Sequence, residues 1–192
     1  MRVACAILAA GASRRMGKPK QLLPFRGATL VRAVAAEACA STCARVAVVV
    51  GAYAARVVEA LDGLPVAIVP NGGWSEGLAA SIRAAATWAQ RADYDALVLA
   101  ACDQPHLAAE HVDRLIAHHR ERGGAVASHY AGAAGVPALF PARDFPKLLA
   151  LAGDVGARHV LASAQPELVD WPPGACDVDT PRVARLVLGI DP

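Results

Sequence analysis

The chain has 192 residues, of which 55% are hydrophobic and 19% are charged, with a formal net charge of +2 at pH 7. This length fits one domain with a sizeable core, and this composition excludes a disordered protein. The small net charge does not indicate nucleic-acid binding, and no apolar stretch approaches the roughly 20 residues of a membrane-spanning helix. The five cysteines form no C-x-x-C pair, which favours reduced thiols in the cytoplasm over a disulfide scaffold or a zinc site.

Apolar runs of strand type alternate with segments of helical period along most of the chain. The predicted strands span residues 3–9, 45–50, 65–69, 95–100, 125–128, 136–140 and 167–170. The predicted helices span residues 28–40, 53–61, 77–91, 107–121, 143–151, 155–163 and 181–188. The continuous apolar runs at 46–50 and 96–100 are typical of strands that helices cover on both faces. This order predicts a three-layer α/β/α sandwich with a mostly parallel, Rossmann-like sheet.

Beyond residue 123 the alternation loosens, and Gly/Ala-rich segments and prolines become frequent. We interpret residues 123–175 as an excursion within one domain that spans residues 1–192, and not as a second domain. In a parallel sheet the ligand binds in the crevice outside the carboxyl ends of the strands. The turns after the predicted strands 3–9, 65–69 and 95–100 reach this edge, so we expect the functional site there.

The most informative motif, L-A-A-G-A-S-R-R-M-G-K-P-K-Q-L-L-P, spans residues 8–24 directly after the first predicted strand. Gly11 and its small neighbours let a ligand approach the main chain, where successive N–H groups form a concave anion site. Arg15 and Lys20 add mobile positive charge suited to a polyphosphate. The turn matches neither the Walker A pattern nor the dinucleotide fingerprint G-x-G-x-x-G, in which Ser13 would be a glycine. A basic surface loop after a strand is the alternative interpretation. Because the motif follows the N-terminal strand directly, we expect no removable signal peptide.

Carboxylates at two places in the chain are candidate metal ligands. Asp103 emerges just past the predicted strand 95–100, opposite the anion-binding turn, where a hard oxygen ligand suits Mg²⁺. Magnesium takes one or two protein carboxylates, and the segment D-V-D-T-P offers Asp177 and Asp179 as the second. Side chains two apart in an extended chain point the same way, so spacing does not choose between them. Helix capping, before Pro105 and before Thr180, is the alternative role for these acids.

Five further segments continue the pattern of the first motif. They are N-x-x-W-x-x-G-L-x-x-S at residues 71–81, A-C-D-Q-P at 101–105, G-V-P-A-L-F at 135–140, G-D-V-G-A-R at 153–158 and D-V-D-T-P at 177–181. In this order, the six motifs resemble the molybdopterin-type nucleotidyltransferases, most closely the molybdenum cofactor cytidylyltransferases. The resemblance covers nearly the whole chain. It departs from the family at Val155, where a polar or charged residue is common, and at Arg182, where an acid often stands.

This resemblance implies a fold of the nucleotide-diphospho-sugar transferase type and a Mg²⁺-dependent reaction. In that reaction CMP moves from CTP to molybdopterin cofactor with release of pyrophosphate, and a molybdenum hydroxylase or its maturation factor is a possible partner. Transfer to another phosphorylated acceptor, such as a sugar or polyol phosphate, is an alternative, and so is a non-catalytic chaperone that delivers cofactor. A nicotinamide enzyme is a third, but Gly51 stands where such enzymes carry a ribose-binding acid after the second strand.

The resemblance also implies a set of nucleotide-binding residues: Leu8, Ala9, Ala10, Gly11, Arg15, Lys20, Asn71 and Ser81. Lys20, Arg15 and Asp103 are the catalytic candidates, and the family pattern favours Asp179 beside Asp103 as the metal ligand. Guanylyltransferases of this group carry A-G-G where this chain has A-A-G. The methyl group of Ala10 is therefore expected to narrow the pocket and to favour a pyrimidine base over a purine.

On the acceptor side, the implied binding residues are Gly135, Pro137, Gly153, Asp154 and Gly156. Asp154 is a candidate N-cap for the predicted helix 155–163, whose first N–H groups could hold the phosphate of a pterin. A plain capped helix start is the alternative.

An acceptor phosphate is already anionic and needs no general base, and no base or nucleophile stands near the motifs. We expect His111, His118 and His119 to face solvent, because the apolar face of their helix is formed by other residues, Val112, Leu115 and Ile116.

Overall fold

The computed structural model describes residues 1–190, in which seven helices surround strands of two sheets. The strands are β1 (Val3–Leu8), β2 (Pro24–Phe25), β3 (Ala28–Thr29), β4 (Arg45–Val50), β5 (Val66–Pro70), β6 (Ala96–Ala101), β7 (Val126–Tyr130), β8 (Ala133–Pro141) and β9 (Glu167–Asp170). The helices are α1 (Leu30–Ala40), α2 (Ala54–Ala60), α3 (Leu78–Arg91), α4 (Ala109–Arg122), α5 (Phe145–Leu149), α6 (Arg158–Ala164) and α7 (Pro181–Leu188). None of the helices in this range combines the length and apolar character that a bilayer crossing requires.

Seven strands form one twisted central sheet in the order β5-β4-β1-β6-β8-β7-β9. β1 is central and pairs in parallel with β4 and β6, and the outer pairs β4–β5 and β7–β9 are also parallel. Within this sheet β8 alone is antiparallel to its neighbours β6 and β7. The mostly parallel sheet between helical layers confirms the predicted fold class. The pair β2–β3 was not predicted, since its strands have two residues each, too few to show a period.

Both faces of the sheet are buried, and β1 shows how its sequence allows this. Val3, Cys5 and Ile7 face the layer that contains α1 and α4, whereas Ala4 and Ala6 face α3. The side of α3 that meets these alanines is itself rich in buried alanines, at positions 79, 85, 86 and 89. Small side chains on both surfaces allow a close helix-to-sheet approach without voids. α3 therefore packs against the face of β1, the strand that the first motif follows.

The segment after residue 123 adds β7, β8 and β9 to the same sheet. β7 and β8 form a hairpin whose two connecting residues, Ala131 and Gly132, both have left-handed backbone angles, with φ of 48° and 74°. This is the tight hairpin turn that matches the twist of the flanking strands. Because β7 runs parallel to β1 and β6, the end of β7 and the beginning of β8 lie at the carboxyl edge of the sheet.

A buried histidine network supports β7 and β8. His111 on α4 is 3% exposed and stacks on Trp171, with ring centroids 4.6 Å apart. Its Nε2 lies 2.7 Å from Oγ of Ser128, and that hydroxyl donates a hydrogen bond to the carbonyl of Pro137 at 2.6 Å. His119 is also buried, with Nδ1 2.7 Å from the carbonyl of Gly124. The expectation that His111 and His119 face solvent is wrong, because α4 is covered by β7, β8 and β9 beyond its apolar face, whereas the side chain of His118 is partly exposed.

The pKa of His111 makes this network sensitive to pH. Burial, and to a smaller extent the charge of Arg114, lowers that pKa to about 4 from 6.5. The unfolded chain therefore binds a proton that the folded protein does not, so stability is complete above pH 6.5 and is lost as the pH falls towards 4. We expect the free energy of unfolding to fall by about 2 kcal/mol between pH 7 and pH 5 because of the protonation of His111 in the unfolded chain.

The test is urea unfolding of wild-type protein and His111→Gln at both pH values, since a glutamine amide can still donate to Ser128. The variant should show the smaller loss on acidification, while the exposed His106→Gln serves as the control for removing any histidine. Identical pH dependence in wild type and His111→Gln would contradict the assignment.

Candidate active site

A cleft of about 800 Å³ opens at the carboxyl ends of β1 and β6. Of the predicted nucleotide-binding residues, those that line it are Leu8, Ala10, Gly11, Arg15, Lys20 and Ser81, whereas Ala9 and Asn71 do not. The carboxylates of Asp103, Asp177 and Asp179 lie in the same cleft. Of the predicted acceptor-binding residues, Asp154 and Gly156 line it, and Gly135, Pro137 and Gly153 do not. The sequence motifs therefore meet at one rim, as expected from strand order.

The turn after β1 is held in shape by Gln21, a residue that the sequence analysis did not single out. The buried Gln21 amide donates to the carbonyls of Ala9 (2.9 Å) and Gly11 (2.7 Å). The Ser13 hydroxyl donates to Oε1 of Gln21 at 3.2 Å and accepts from the backbone N–H of Lys20 at 3.0 Å. Both ends of the turn are thereby tied to one side chain. The only signal in the sequence is a glutamine that stands just before an apolar pair in P-K-Q-L-L-P.

Gly51, which follows β4, allows three parts of the chain to come together. A Cβ atom at this position would lie 2.7 Å from both the carbonyl oxygen of Ala10 and Cβ of Trp74. The carbonyl of Ala10 accepts a hydrogen bond from the N–H of Ala52 at 3.0 Å, which fixes the approach. The methyl group of Ala10 is itself buried against this contact. The position after the second long strand therefore has no room for an acidic side chain.

The ammonium group of Lys20 lies between two carboxylates. Its Nζ donates to Oδ2 of Asp103 and to Oδ1 of Asp179, the latter at 2.8 Å. The side chains of Lys20 and Asp103 are only 17% and 16% exposed. Burial by itself lowers the pKa of Lys20, but the charge of Asp103 and the hydrogen bonds to both carboxylates outweigh it, so the pKa is raised. Lys20 is therefore charged at neutral pH. Arg15, largely exposed, donates to Oδ2 of Asp179 at 2.9 Å.

Asp177 and Asp179, which spacing could not distinguish, have different surroundings. Burial raises the pKa of Asp179, but the hydrogen bonds and positive charges of Lys20 and Arg15 lower it by a larger amount. The pKa of Asp179 is therefore lower than usual. Burial and the negative charge of Asp103 raise the pKa of Asp177 to about 6, against a hydrogen bond from Gln104 that lowers it. The N–H of Val178, between the two acids, donates to the carbonyl of Asp103 at 2.9 Å. Asp179 is thus the acid that joins Asp103 around one cationic centre.

Within residues 1–190, no cluster of three or more His, Cys, Asp or Glu side chains forms a ready metal site. Two carboxylates that converge on one cation are nevertheless the protein ligands that Mg²⁺ typically uses when phosphate oxygens and waters complete its shell. The residues present therefore fit a magnesium ion shared with a nucleotide. They do not fit a structural zinc site, which typically has four cysteine or histidine ligands.

Asp154 does not cap the helix that the sequence indicated. α6 begins at Arg158 and not at residue 155, and its capping residue is Ala157. The Oδ1 of Asp154 instead accepts from the N–H of Leu78 at 3.3 Å, at the start of α3, and the carbonyl of Gly153 accepts from the next N–H at 3.1 Å. The backbone can come this close because Gly77, with φ of 128°, has no side chain: a Cβ there would lie 2.5 Å from the carbonyl oxygen of Gly153. The predicted N-cap role of Asp154 at α6 is therefore wrong, while phosphate binding at the start of that helix stays a prediction.

Gly135 and Pro137 are buried residues of β8, where its pairing with β7 is irregular. A Cβ atom at Gly135 would overlap the hydroxyl of Tyr130, and that hydroxyl donates to the carbonyl of Val136 at 2.8 Å. Tyr130 and Val136 line the cleft in place of the two predicted residues. Gly135 and Pro137 thus act on the site through their neighbours.

Asn71 and Ser81 are bonded to each other. The Asn71 amide donates to Oγ of Ser81 at 3.1 Å, and its Oδ1 accepts from the N–H of Gly73 at 3.1 Å. Both side chains are buried, so Asn71 shapes the turn after β5, and Ser81 is the member of the pair that reaches the cleft.

Comparison with known proteins finds relatives whose names indicate two different activities. The chain is 35% identical over 173 residues to the nicotine blue oxidoreductase of Paenarthrobacter nicotinovorans, covering 85% of this chain and 83% of that protein. It is 38% identical over 119 residues to the molybdenum cofactor guanylyltransferase of Rhodobacter capsulatus, covering 61% of this chain and 59% of that protein.

Solved structures resemble the whole chain. A mycobacterial homologue of Rv0371c, from strain JC1, is 31% identical with a TM-score of 0.84, over 98% of this chain and 97% of the other. Rv0371c of Mycobacterium tuberculosis H37Rv, solved in complex with manganese, is 27% identical with a TM-score of 0.77, over 98% and 99%. The family model of the MobA-like NTP transferase domain matches residues 5–168. The chain therefore belongs to the MobA-like NTP transferase family and is a nucleotidyltransferase.

Proposed function

We propose that the protein transfers CMP from CTP to molybdopterin cofactor and releases pyrophosphate, in a reaction that depends on Mg²⁺. The observation that carries this proposal is the convergence of Lys20, Asp103 and Asp179 beside the glycine-containing turn after β1. The relative named molybdenum cofactor guanylyltransferase supports the acceptor, and the A-A-G sequence of the turn favours cytosine over guanine.

The turn and its cations would bind the triphosphate of CTP. The main chain at Gly11 borders the cleft with open space beside it, and Arg14, Arg15 and Lys20 line the same wall. Negative charge that develops on the phosphates is stabilised by groups held in advance, which is the main source of catalysis in such reactions. Gln21 is the positioning residue for this wall, because it holds the turn without lying at its surface.

Asp103 and Asp179 would hold Mg²⁺, which on binding would neutralise charge on the phosphate oxygens. Lys20 contacts the same two carboxylates, so Lys20 and a cation compete for them. A triphosphate resolves this competition, because it offers the Lys20 ammonium other oxygens. The manganese found with Rv0371c, a protein 27% identical, supports a divalent cation in this fold.

The acceptor phosphate would attack the α-phosphorus from the opposite wall. A phosphate oxygen forms the new bond to phosphorus, and the bond to the β-phosphate oxygen breaks, so pyrophosphate leaves without any proton transfer. We place the acceptor against Asp154, Gly156 and Arg158, which line that wall. Gly135, Pro137 and Gly153 would support it from behind.

A second candidate function is transfer to another phosphorylated acceptor, which the departures at Val155 and Arg182 favour. The relative named nicotine blue oxidoreductase raises redox chemistry, but the space after β4, where a dinucleotide enzyme carries its ribose-binding acid, is closed by Ala10 and Trp74. The nucleotide product could pass to a molybdenum hydroxylase or its maturation factor. The five free cysteines support a cytoplasmic setting for this reaction.

The proposal as a whole is tested by pyrophosphate release from each of the four ribonucleotides, with and without molybdopterin cofactor. Release that requires both CTP and the cofactor supports it. A chaperone would bind the cofactor and release no pyrophosphate, and release with a sugar phosphate alone would favour the second candidate function.

Asp103→Asn should abolish most transfer, because it removes a charged metal ligand while keeping the shape of the side chain. We expect a loss of at least about 100-fold in kcat/KM and weaker Mn²⁺ binding by calorimetry in the presence of CTP. Asp95→Asn, at the beginning of β6 and far from the cleft, is the matched control. Near-normal turnover of Asp103→Asn at saturating magnesium would defeat the metal assignment.

Gln21→Leu should loosen the phosphate turn, because it leaves the carbonyls of Ala9 and Gly11 without their buried donor. The expected result is a loss of about 1–3 kcal/mol in the free energy of unfolding, together with weaker CTP binding. Urea unfolding and equilibrium dialysis measure the two effects, with the exposed Gln90→Leu as control. Full CTP affinity in Gln21→Leu would show that the turn keeps its shape without this side chain.

CTP should be preferred over GTP, and Ala10→Gly should relax that preference by a factor of about ten to two hundred, the scale of one methyl group in a pocket. Because the Ala10 methyl packs near Trp74, its removal also allows that ring to shift towards the turn. The ratio of kcat/KM for the two nucleotides is the measurement, and Ala12→Gly controls for added backbone freedom. Equal use of CTP and GTP by wild-type protein would contradict base selection by Ala10.

A further inference from the structure

Gln104, next to Asp103, connects three distant parts of the chain. It borders the cleft, yet it is only 2% exposed. Its Nε2 donates to the carbonyl of Val136 at 3.0 Å and lies 3.4 Å from the carbonyl of Gly174. It also lies 3.3 Å from the hydroxyl of Tyr130. One buried amide thus holds the first half of β8 and the segment that leads to Asp177 and Asp179.

The orientation of this amide is determined by its partners. Carbonyl oxygens only accept hydrogen bonds, so Nε2 and not Oε1 must face Val136 and Gly174. The Tyr130 hydroxyl donates its own proton to Val136 and can therefore accept from Nε2. Oε1 is left buried without a hydrogen-bond partner among the described residues.

The backbone of the preceding residue strengthens the same connection. The carbonyl of Asp103 accepts a hydrogen bond from the N–H of Val178. This bond holds the loop after β6, which carries the Asp103 carboxylate, against the D-V-D segment. Tyr130 lies between Gly135 and Gly174, and a Cβ on either glycine would overlap its side chain. Because of these close approaches, β8, the segment at Gly174 and the loop that carries Asp103 are tightly packed against one another.

We propose that Gln104 is a positioning residue that aligns the acceptor wall with the Asp103–Asp179 pair. It acts through Val136 and Gly174, and through its hydrogen bond to Asp177, and does not touch either substrate. The proposal rests on the proposed function, because it takes the second substrate to be an acceptor bound beside Val136 and Tyr130. Loss of the Nε2 donor should therefore raise the KM for the acceptor and leave the KM for the nucleotide unchanged.

The experiment compares wild type with Gln104→Leu and Gln104→Glu. Leucine removes the donor, and glutamate places an oxygen against two carbonyls while keeping the shape. We expect the acceptor KM to rise about 10- to 100-fold in both variants, with the CTP KM of Gln104→Leu within about twofold of the wild-type value. Gln90→Leu is the control. An unchanged acceptor KM, or an equal rise of the KM values for acceptor and CTP in Gln104→Leu, would overturn the proposal.

Hydrogen–deuterium exchange gives a readout that does not depend on the acceptor. Peptides covering residues 133–140 and 174–180 should exchange faster in Gln104→Leu than in wild type, with the β1 and β4 peptides unchanged. Unchanged exchange in both segments would overturn the positioning role. Wild-type protein that fails to transfer CMP to molybdopterin cofactor would defeat the proposed function, and the exchange result would still decide whether Gln104 holds the two segments together.

Discussion

The site depends on one electrostatic arrangement, the Lys20 ammonium held between the carboxylates of Asp103 and Asp179. Two like charges this close repel unless a cation lies between them, and partial burial strengthens both the repulsion and its relief. The three residues come from the first loop, the end of β6 and the segment before α7. The ion pairs thus join the two ends of the chain at the middle of the sheet, where β1 and β6 are neighbours.

The walls around this cluster are built from close backbone approaches. Gly51 admits Ala10 and Trp74, and Gly77 admits the carbonyl of Gly153. In both places the missing side chain leaves room for a hydrogen bond from a backbone N–H to a backbone carbonyl. Backbone groups joined in this way have less conformational freedom than flexible side chains in contact. The cleft is therefore a preorganised surface, on which mobile charge is confined to a few long side chains such as Arg14 and Arg15.

Much of the fold could be predicted from the sequence, because strands buried on both faces have continuous apolar runs that few other structures share. The meeting of the first motif with Asp103 could also be predicted, since the rule that ligands bind at the carboxyl edge needs only strand order. Asp179 does not directly follow a strand, and only the family resemblance favoured it beside Asp103. Asp154 was misplaced for a physical reason: its capping partner, the N–H of Leu78, is 76 residues away and becomes available only because Gly77 is a glycine. Local capping signals cannot show such a contact.

The roles of several other residues could not be predicted from the sequence either. Gln21 and Gln104 each bind backbone carbonyls, and a backbone carbonyl has no identity that a sequence pattern can record. His111 was expected on the surface because helical period describes one apolar face, whereas α4 is covered on a wider arc by β7, β8 and β9. Spacing left open which of Asp177 and Asp179 meets Lys20. The N–H of Val178, between the two acids, donates to the carbonyl of Asp103, which is again a main-chain contact.

The hairpin between β7 and β8 has a consequence for the height of one side of the cleft. An antiparallel strand delivers its first residues to the edge where its parallel neighbours deliver their last, so β8 brings Val136 to the rim at the outset. The two-residue turn at Ala131 and Gly132 is the shortest that a hairpin allows, and the rim here is accordingly as low as this topology permits. A longer loop at this point would extend beyond the rim next to Tyr130 and Val136, which line the cleft, while the turn after β1 would be unchanged. The depth of the cleft on this side therefore depends on the length of one hairpin.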